Sequence, residues 1–283
     1  MSRIEQAVTG TKIPVGRSVR SGVDWLIDNA QGAFDAVASA VEGLTGAILW
    51  ALTAPHPFVL TAGFMALAWV LQRRIGPVLI VAAGFLFILN QGYWVETMQT
   101  LTLVLASCLF CMGIGVPIGI AAAHRPRLYA WLRPVLDLMQ TLPAYVYLIP
   151  AIIFFGVGTV TGLFATVIFV LPAPIRLTHL GISRTPPALI EAATAFGATR
   201  RQLLWKVELP SAWPQIMAGL NQTIMLSLSM VVIAGLVGAA GLGVPVVRAL
   251  NSVNAALGFE SGVIIVVLAV MLDRMLRRDE GRR

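Results

Sequence analysis

From residue 58 onward the chain alternates long apolar runs with short polar breaks. The runs cover roughly 58–72, 76–91, 95–123, 135–157, 160–181, 214–240 and 258–276. Each approaches the ~20 mostly apolar residues that a helix needs to cross the hydrocarbon layer, with the first two at the short limit. Seven membrane-spanning helices are therefore expected. Gly241-Leu242-Gly243-Val244-Pro245 interrupts any helix there, so the segment after Leu242 is expected to dip into the membrane rather than cross it. Ahead of the first run, Phe34, Val37, Ala38, Val41, Leu44, Ile48 and Leu49 recur at helical spacing, interrupted by Asp35 and Glu42. That pattern suits an amphipathic helix lying in the membrane interface, and an eighth span over 33–52 is the competing reading.

Composition strengthens the membrane assignment. Of 283 residues, 58% are hydrophobic and 12% charged, against about 25% charged in soluble domains. The net charge of +7 raises the question of nucleic acid, but the basic residues sit in short loops between apolar runs, and no nucleic-acid partner is expected. Alternate loops carry Arg73 and Arg74, then Arg125, Arg127 and Arg133, then Arg184, Arg200, Arg201 and Lys206, and the C-terminal tail adds Arg274, Arg277, Arg278, Arg282 and Arg283. The loops of opposite parity hold Arg248. The excess of Lys and Arg on one side places the C-terminus in the cytoplasm and, with seven spans, the N-terminus outside. Residues 1–43 offer no apolar core for a signal peptide, so later helices are expected to drive insertion. Cys108 and Cys111 lie inside an apolar run, where they read as two small apolar residues on a helix face rather than as a redox pair.

The longest cytoplasmic loop, 182–213, is the most informative stretch. Thr185 can cap a helix, the two prolines after it suit a first turn, and Gly197 can take the left-handed conformation that ends one. Leu189, Ala192, Ala193 and Phe196 then fall on one apolar face. A second short helix is expected to begin at Thr199, which has capping-box spacing to Gln202, and to close at Leu209-Pro210. A helix of about ten residues is marginal alone in water. Its apolar face must dock, either on the protein's own helix ends or on a soluble partner.

A resemblance bears on that choice. Glu191-Ala192-Ala193, then Gly197, then Val207-x-Leu209-Pro210 is similar to the EAA signature of ABC importer permeases. The segment Met139-Gln140-Thr141-Leu142-Pro143-Ala144-Tyr145-Val146-Tyr147-Leu148-Ile149-Pro150 resembles, more narrowly, the permeases of glycine betaine/proline betaine/choline importers. So do the stretch from Asn221 to Ala234 and Leu272-Asp273-Arg274, and the likeness covers roughly 93–276. The resemblance implies an all-α membrane protein with the MetI-like transmembrane domain of a type I ABC importer. It implies a division into a 1–57 extracytoplasmic tail, two scaffold helices over 58–92, a permease core over 93–276 with the coupling loop 182–213, and a 277–283 cytoplasmic tail. Glu191, Ala192, Ala193 and Gly197, with Leu189, Phe196, Leu209 and Pro210, would form the loop that couples to an ATP-binding subunit. The implied partners are two such ATPase subunits, a second permease copy, an extracytoplasmic binding protein and a small quaternary ammonium solute such as glycine betaine, proline betaine or choline. A permease for another small solute, and a stand-alone channel or carrier, are the alternatives.

The residues agree that energy must come from elsewhere. A phosphate loop needs Gly-Lys-Ser/Thr, and Lys12 and Lys206 follow Thr11 and Trp205. No cofactor is expected in this chain, and ATP would be bound by the partner. Ion-coupled carriers keep ionisable groups at membrane depth, whereas Glu96, Asp137, Glu260 and Asp273 lie near span ends and the span middles read as bare of charge. His56, His124 and His179 have no metal-ligand spacing. The proline-rich 139–150 segment is a candidate lining of the translocation path, with Met139, Thr141, Pro143, Tyr145 and Tyr147 as its residues; simple kinking in a packed bundle is the other reading. Tyr145, Tyr147, Trp94 and Trp213 are of the right type for cation–π contact with a quaternary ammonium ion, although Trp94 and Trp213 better suit interface anchors.

Overall fold

The structure, a computed structural model, describes residues 15–276. The tail at 277–283 and the basic residues Arg3 and Lys12 lie outside the described residues. Every regular element described is helical: α1 (Val15–Thr53), α2 (Pro57–Gln72), α3 (Ile75–Asn90), α4 (Trp94–His124), α5 (Pro126–Thr141), α6 (Ala144–Phe155), α7 (Thr159–Ser183), α8 (Pro187–Ala195), α9 (Arg200–Leu236), α10 (Gly243–Asn251) and α11 (Ala255–Leu276).

The seven expected spans map onto these elements with differences. α4, α7, α9 and α11 have the length and apolarity of membrane-crossing helices. The 135–157 run is not one helix: α5 and α6 meet at an angle of 95° and make a span only as a bent pair. α2 and α3 have 16 residues each, about 24 Å at the α-helical rise, which is short of the ~30 Å hydrocarbon thickness. They pack on each other and on α11. α1 also contains a stretch, Asn29–Thr53, that passes as a span by length and composition. Successive chain reversals gather Arg73, Arg74, Arg125, Arg127, Arg184, Arg200, Arg201, Lys206 and Arg274 at one end of the bundle, called the basic end below.

α1 has 39 residues, about 58 Å. Its inward stripe is Phe34, Ala38, Val41, Thr45, Ile48, Leu49 and Leu52, a helical repeat, while Val37 from the expected face is exposed. Phe34 stacks on Phe154 at 4.4 Å between ring centroids. Glu42, Thr45, Gly46 and Leu49 line a cavity of about 270 Å³ together with Gln99, Thr102 and the 157–160 turn. These contacts all fall on the end opposite the basic one, so from Phe34 to Leu49 the helix crosses over the far ends of α4, α6 and α7.

The core is the mutual packing of α4, α7 and α9. Lipid tails are as apolar as leucine, so helices in a bilayer associate through close van der Waals contact, which small residues permit. A Cβ on Gly119 of α4 would lie 2.8 Å from the Ile175 carbonyl oxygen of α7, and one on Gly181 of α7 would lie 2.9 Å from Ala212 of α9. Cys108 and Cys111 are buried, free thiols within α4. They sit in this packing as apolar residues; the Cys111 thiol lies 3.7 Å from the Val167 carbonyl of α7.

Irregular backbone appears where prolines and glycines interrupt the helices, and the breaks at Pro143 and after α9 find partners. Pro143 has no N–H, so the Met139 carbonyl loses its helical donor, and the Tyr147 hydroxyl donates to that carbonyl at 2.7 Å. After α9, the Gly158 amide donates to the Val237 carbonyl at 2.8 Å, and the Leu242 amide donates to the Thr100 hydroxyl at 2.9 Å. The glycine-proline stretch thus starts the nine-residue α10, well short of a crossing.

Replacement of Gly119 by valine is expected to cost at least ~1–3 kcal/mol through overpacking, read as a lowered thermal midpoint of the detergent-solubilised protein. A Cβ at Gly113 on the same helix meets nothing within 4 Å, so Gly113→Ala is expected not to lower the midpoint.

Candidate functional site

The 182–213 segment leaves the bundle at the basic end. Contrary to the expectation from sequence, Thr185 does not cap the first helix. Its amide donates to the Ile182 carbonyl, closing α7, and its hydroxyl is buried without a partner. Pro186 disfavours helical backbone at the preceding residue, so α8 starts one step later, with Pro186 at the cap position and Pro187 in the first turn.

The end of α8 follows the expected rule. Gly197 has φ +79, the Gly197 amide donates to the Thr194 carbonyl, and the Ala198 amide donates to the Ala193 carbonyl. That pair of bonds is the Schellman closure, which glycine forms without strain. Two residues on, the Thr199 amide donates to the Gln202 side chain at 2.8 Å and the Gln202 amide donates back to the Thr199 hydroxyl. The expected capping box is present.

α8 buries none of its residues. Leu189 is 50% exposed and Phe196 93% exposed. Glu191, Ala192 and Gly197 are exposed, and Ala193 is half-buried. Within this chain α8 touches the start of α9 and its π turn, with Ile190 and Ala193 half-buried, while Leu189 and Phe196 stay uncovered.

Leu209 and Pro210 belong elsewhere. They do not close a short helix; they lie inside α9, which runs without interruption from Arg200 to Leu236. Continuity past Pro210 is made possible by a π turn at Leu204–Glu208, where the Leu209 amide donates to the Leu204 carbonyl five residues back. The wider turn relieves the clash that a proline ring makes with the carbonyl four residues earlier. Leu209 packs with Ile182, Ala212 and Ile216, so this stem is anchored in the bundle while α8 is not.

The sequence reading missed the group that fastens the stem. Glu208, 6% exposed, lies in the π turn, and its carboxylate meets His124 Nε2 at 2.9 Å. His124 is the last residue of α4. The pair joins the stem of α9 to the basic end of α4, and with Glu208 and His124 84 positions apart no local pattern could have paired them.

At the bend, the candidate path residues divide. Tyr145 is exposed, as are Thr141 and Pro143; Met139 is half-buried. Tyr147 is buried, and its hydroxyl holds the bend through Met139. The cation–π candidates Trp94 and Trp213 lie at opposite ends of the bundle: Trp94 packs against Phe85, and Trp213 is exposed on α9 near the basic end. No one cluster brings the four aromatics together.

One charge inside a span was not weighed in the sequence reading. Arg176 lies inside α7, and its Nη2 meets the Asp137 carboxylate of α5 at 2.6 Å. Nearby on the same two helices Tyr129 stacks on His179 at 3.6 Å. At the far end, burial and the charge and hydrogen bond of Glu260 raise the Tyr93 phenol above its ordinary range.

These features are those of a multi-helix membrane bundle with irregular helices inside it and a short, exposed apolar helix beyond its basic end. The chain matches the family described as binding-protein-dependent transport system inner membrane component over residues 115–278, and it belongs to that family. It is 46% identical over 272 residues to the glycine betaine transport system permease protein OpuAB of Bacillus subtilis (strain 168), covering 96% of each chain. It is 44% identical to the glycine betaine/proline betaine transport system permease protein ProW of Escherichia coli (strain K12), covering 96% of this chain and 78% of that one. Among solved structures, the MetNI methionine ABC transporter in an inward-facing conformation superposes with a TM-score of 0.58 at 24% identity, over 68% of this chain and 98% of that one. That likeness carries the fold, a type I ABC importer permease. The chain is thus a multi-pass inner-membrane transport subunit, not an enzyme.

Loss of the His124 imidazole would leave a buried carboxylate unpaired. His124→Ala is expected to cost about 1–3 kcal/mol, measured as a drop in the thermal midpoint, and addition of Glu208→Gln to the same protein should recover most of the loss.

Proposed function

We propose that this permease imports quaternary ammonium osmolytes, of the glycine betaine, proline betaine or choline type, delivered by an extracytoplasmic binding protein. The identity to betaine permeases along nearly the whole chain supports that solute class. Two copies of the chain form the path, each with an ATPase subunit that binds and hydrolyses the ATP. The basic end faces the cytoplasm, in keeping with its excess of Arg and Lys. The C-terminus lies there too, and α1 lies in the outer interface with the N-terminus outside, since its contacts from Phe34 to Leu49 remain at the far end.

The exposure of α8 carries the coupling assignment. A nine-residue helix that presents Leu189 and Phe196 to water gains stability only by docking, and Glu191, Ala192, Ala193 and Gly197 form the docking element on the ATPase. Movement imposed on it passes into the α9 stem, where Leu209, Pro210 and Glu208 connect it to the bundle and, through His124, to α4. The runner-up, a permease for another small solute, shares this loop and differs only in what the binding protein delivers.

Burying one phenylalanine is worth about 1.5–3 kcal/mol, so Phe196→Ala is expected to weaken retention of the ATPase during co-purification by about ten- to a hundredfold. Glu191→Arg is expected to abolish solute-stimulated ATP hydrolysis while insertion stays normal. Normal coupling in both variants, or labelling of 185–210 from outside intact cells, would remove the assignment.

The 139–150 segment lines the translocation path in this reading, with Thr141, Pro143 and Tyr145 facing it and Met139 and Tyr147 holding its bend. Single cysteines at 141, 143 and 145 are expected to react with membrane-impermeant thiol reagents in a manner that changes with nucleotide. Uniform protection in every transport state would refute this.

A further inference from the structure

The pair Asp137–Arg176 crosses from α5, one turn before the 95° bend, to α7 about two turns before its end at the basic side. Ionisable side chains within spanning segments are costly and mark function more often than support. The geometry is also incomplete. Arg176 spends Nη2 on one Asp137 oxygen at 2.6 Å, while its Nε is buried with no hydrogen-bond partner. A guanidinium presents Nε–H and one Nη–H along a single edge that matches both oxygens of a carboxylate. Here that edge is half used, and a buried donor left unmet costs about 1–3 kcal/mol. Asp137 is the more exposed partner, with 51% of its side chain accessible against 33% for Arg176.

We propose that Asp137 and Arg176 form a binding site for a zwitterion in the translocation path, a reading that rests on the solute class proposed above. The carboxylate of a betaine fills the Nε–Nη2 edge of Arg176, and the displaced Asp137 faces the quaternary ammonium, which has no N–H and is held by charge alone. Each protein charge exchanges its intramolecular partner for a ligand charge, so neither is left uncompensated in low dielectric. Because Asp137 ties α5 to α7, the exchange also loosens the arm before the bend, which then rests on the Tyr129–His179 stack and the buried Leu136.

The test uses the full complex of permease, ATPase and betaine-loaded binding protein in proteoliposomes, reading solute moved per ATP hydrolysed alongside the thermal midpoint. A purely structural pair and a ligand site differ in the double variant Asp137→Asn with Arg176→Gln, which removes both charges at once and strands neither. It is expected to assemble with a midpoint within a few degrees of the unmodified protein while solute per ATP falls at least tenfold. An unchanged ratio in the double variant overturns the proposal. Should that variant fail to assemble, Asp137→Glu keeps the pair and shifts the carboxylate by one methylene: a reduced ratio at an unchanged midpoint supports the site, and an unchanged ratio overturns it. Absence of ATP-driven uptake by the unmodified complex would instead sink the proposed function.

Discussion

In a bilayer there is no water to take up a stray amide or carbonyl, and the whole fold answers to that constraint. It explains how the backbone can be irregular at the bend and after α9. The 95° bend survives because the Tyr147 hydroxyl takes the carbonyl that Pro143 strands. The break after α9 survives because Thr100 and the Gly158 turn take its loose groups. The last two ties connect α4, α7 and α9, the helices whose close packing makes the core, so there satisfying the backbone and assembling the bundle are one event.

The basic end obeys different physics. Beyond the hydrocarbon, α8 is in water, its backbone needs are met by its own Schellman closure, and its apolar side is unmet. What holds it in place is the stem: the capping box at Thr199, the π turn, and the buried Glu208 bonded to His124.

Much of this was legible in the residues. Apolar runs located α4, α7 and α11 to within a few positions, whereas α9 begins fourteen residues ahead of its apolar run; Gly197 and Thr199 announced their own caps, because such signals are local. The pairings of Glu208 with His124 and of Asp137 with Arg176 were not legible, since they join residues 84 and 39 positions apart and depend on how helices cross. Arg176 escaped notice by sitting inside an apolar run, where averaging over a window hides one charge. Leu209-Pro210 misled for a different reason: proline is an ordinary helix stop, and a π turn that admits it leaves no separate mark in composition. The split of 135–157 into two helices was half visible, as prolines without an angle.

The π turn has a mechanical meaning. A regular α-helix from Arg200 to Leu236 would be a stiff rod, turning whatever its lower end was turned by. With one loosened coil at Leu204–Glu208, the rod resembles a shaft with a flexible collar: it still passes a push along its length, yet gives under torsion. Thrust from below then reaches the core as displacement, and rocking of whatever grips the lower end is absorbed before it can unscrew the packed glycine contacts above.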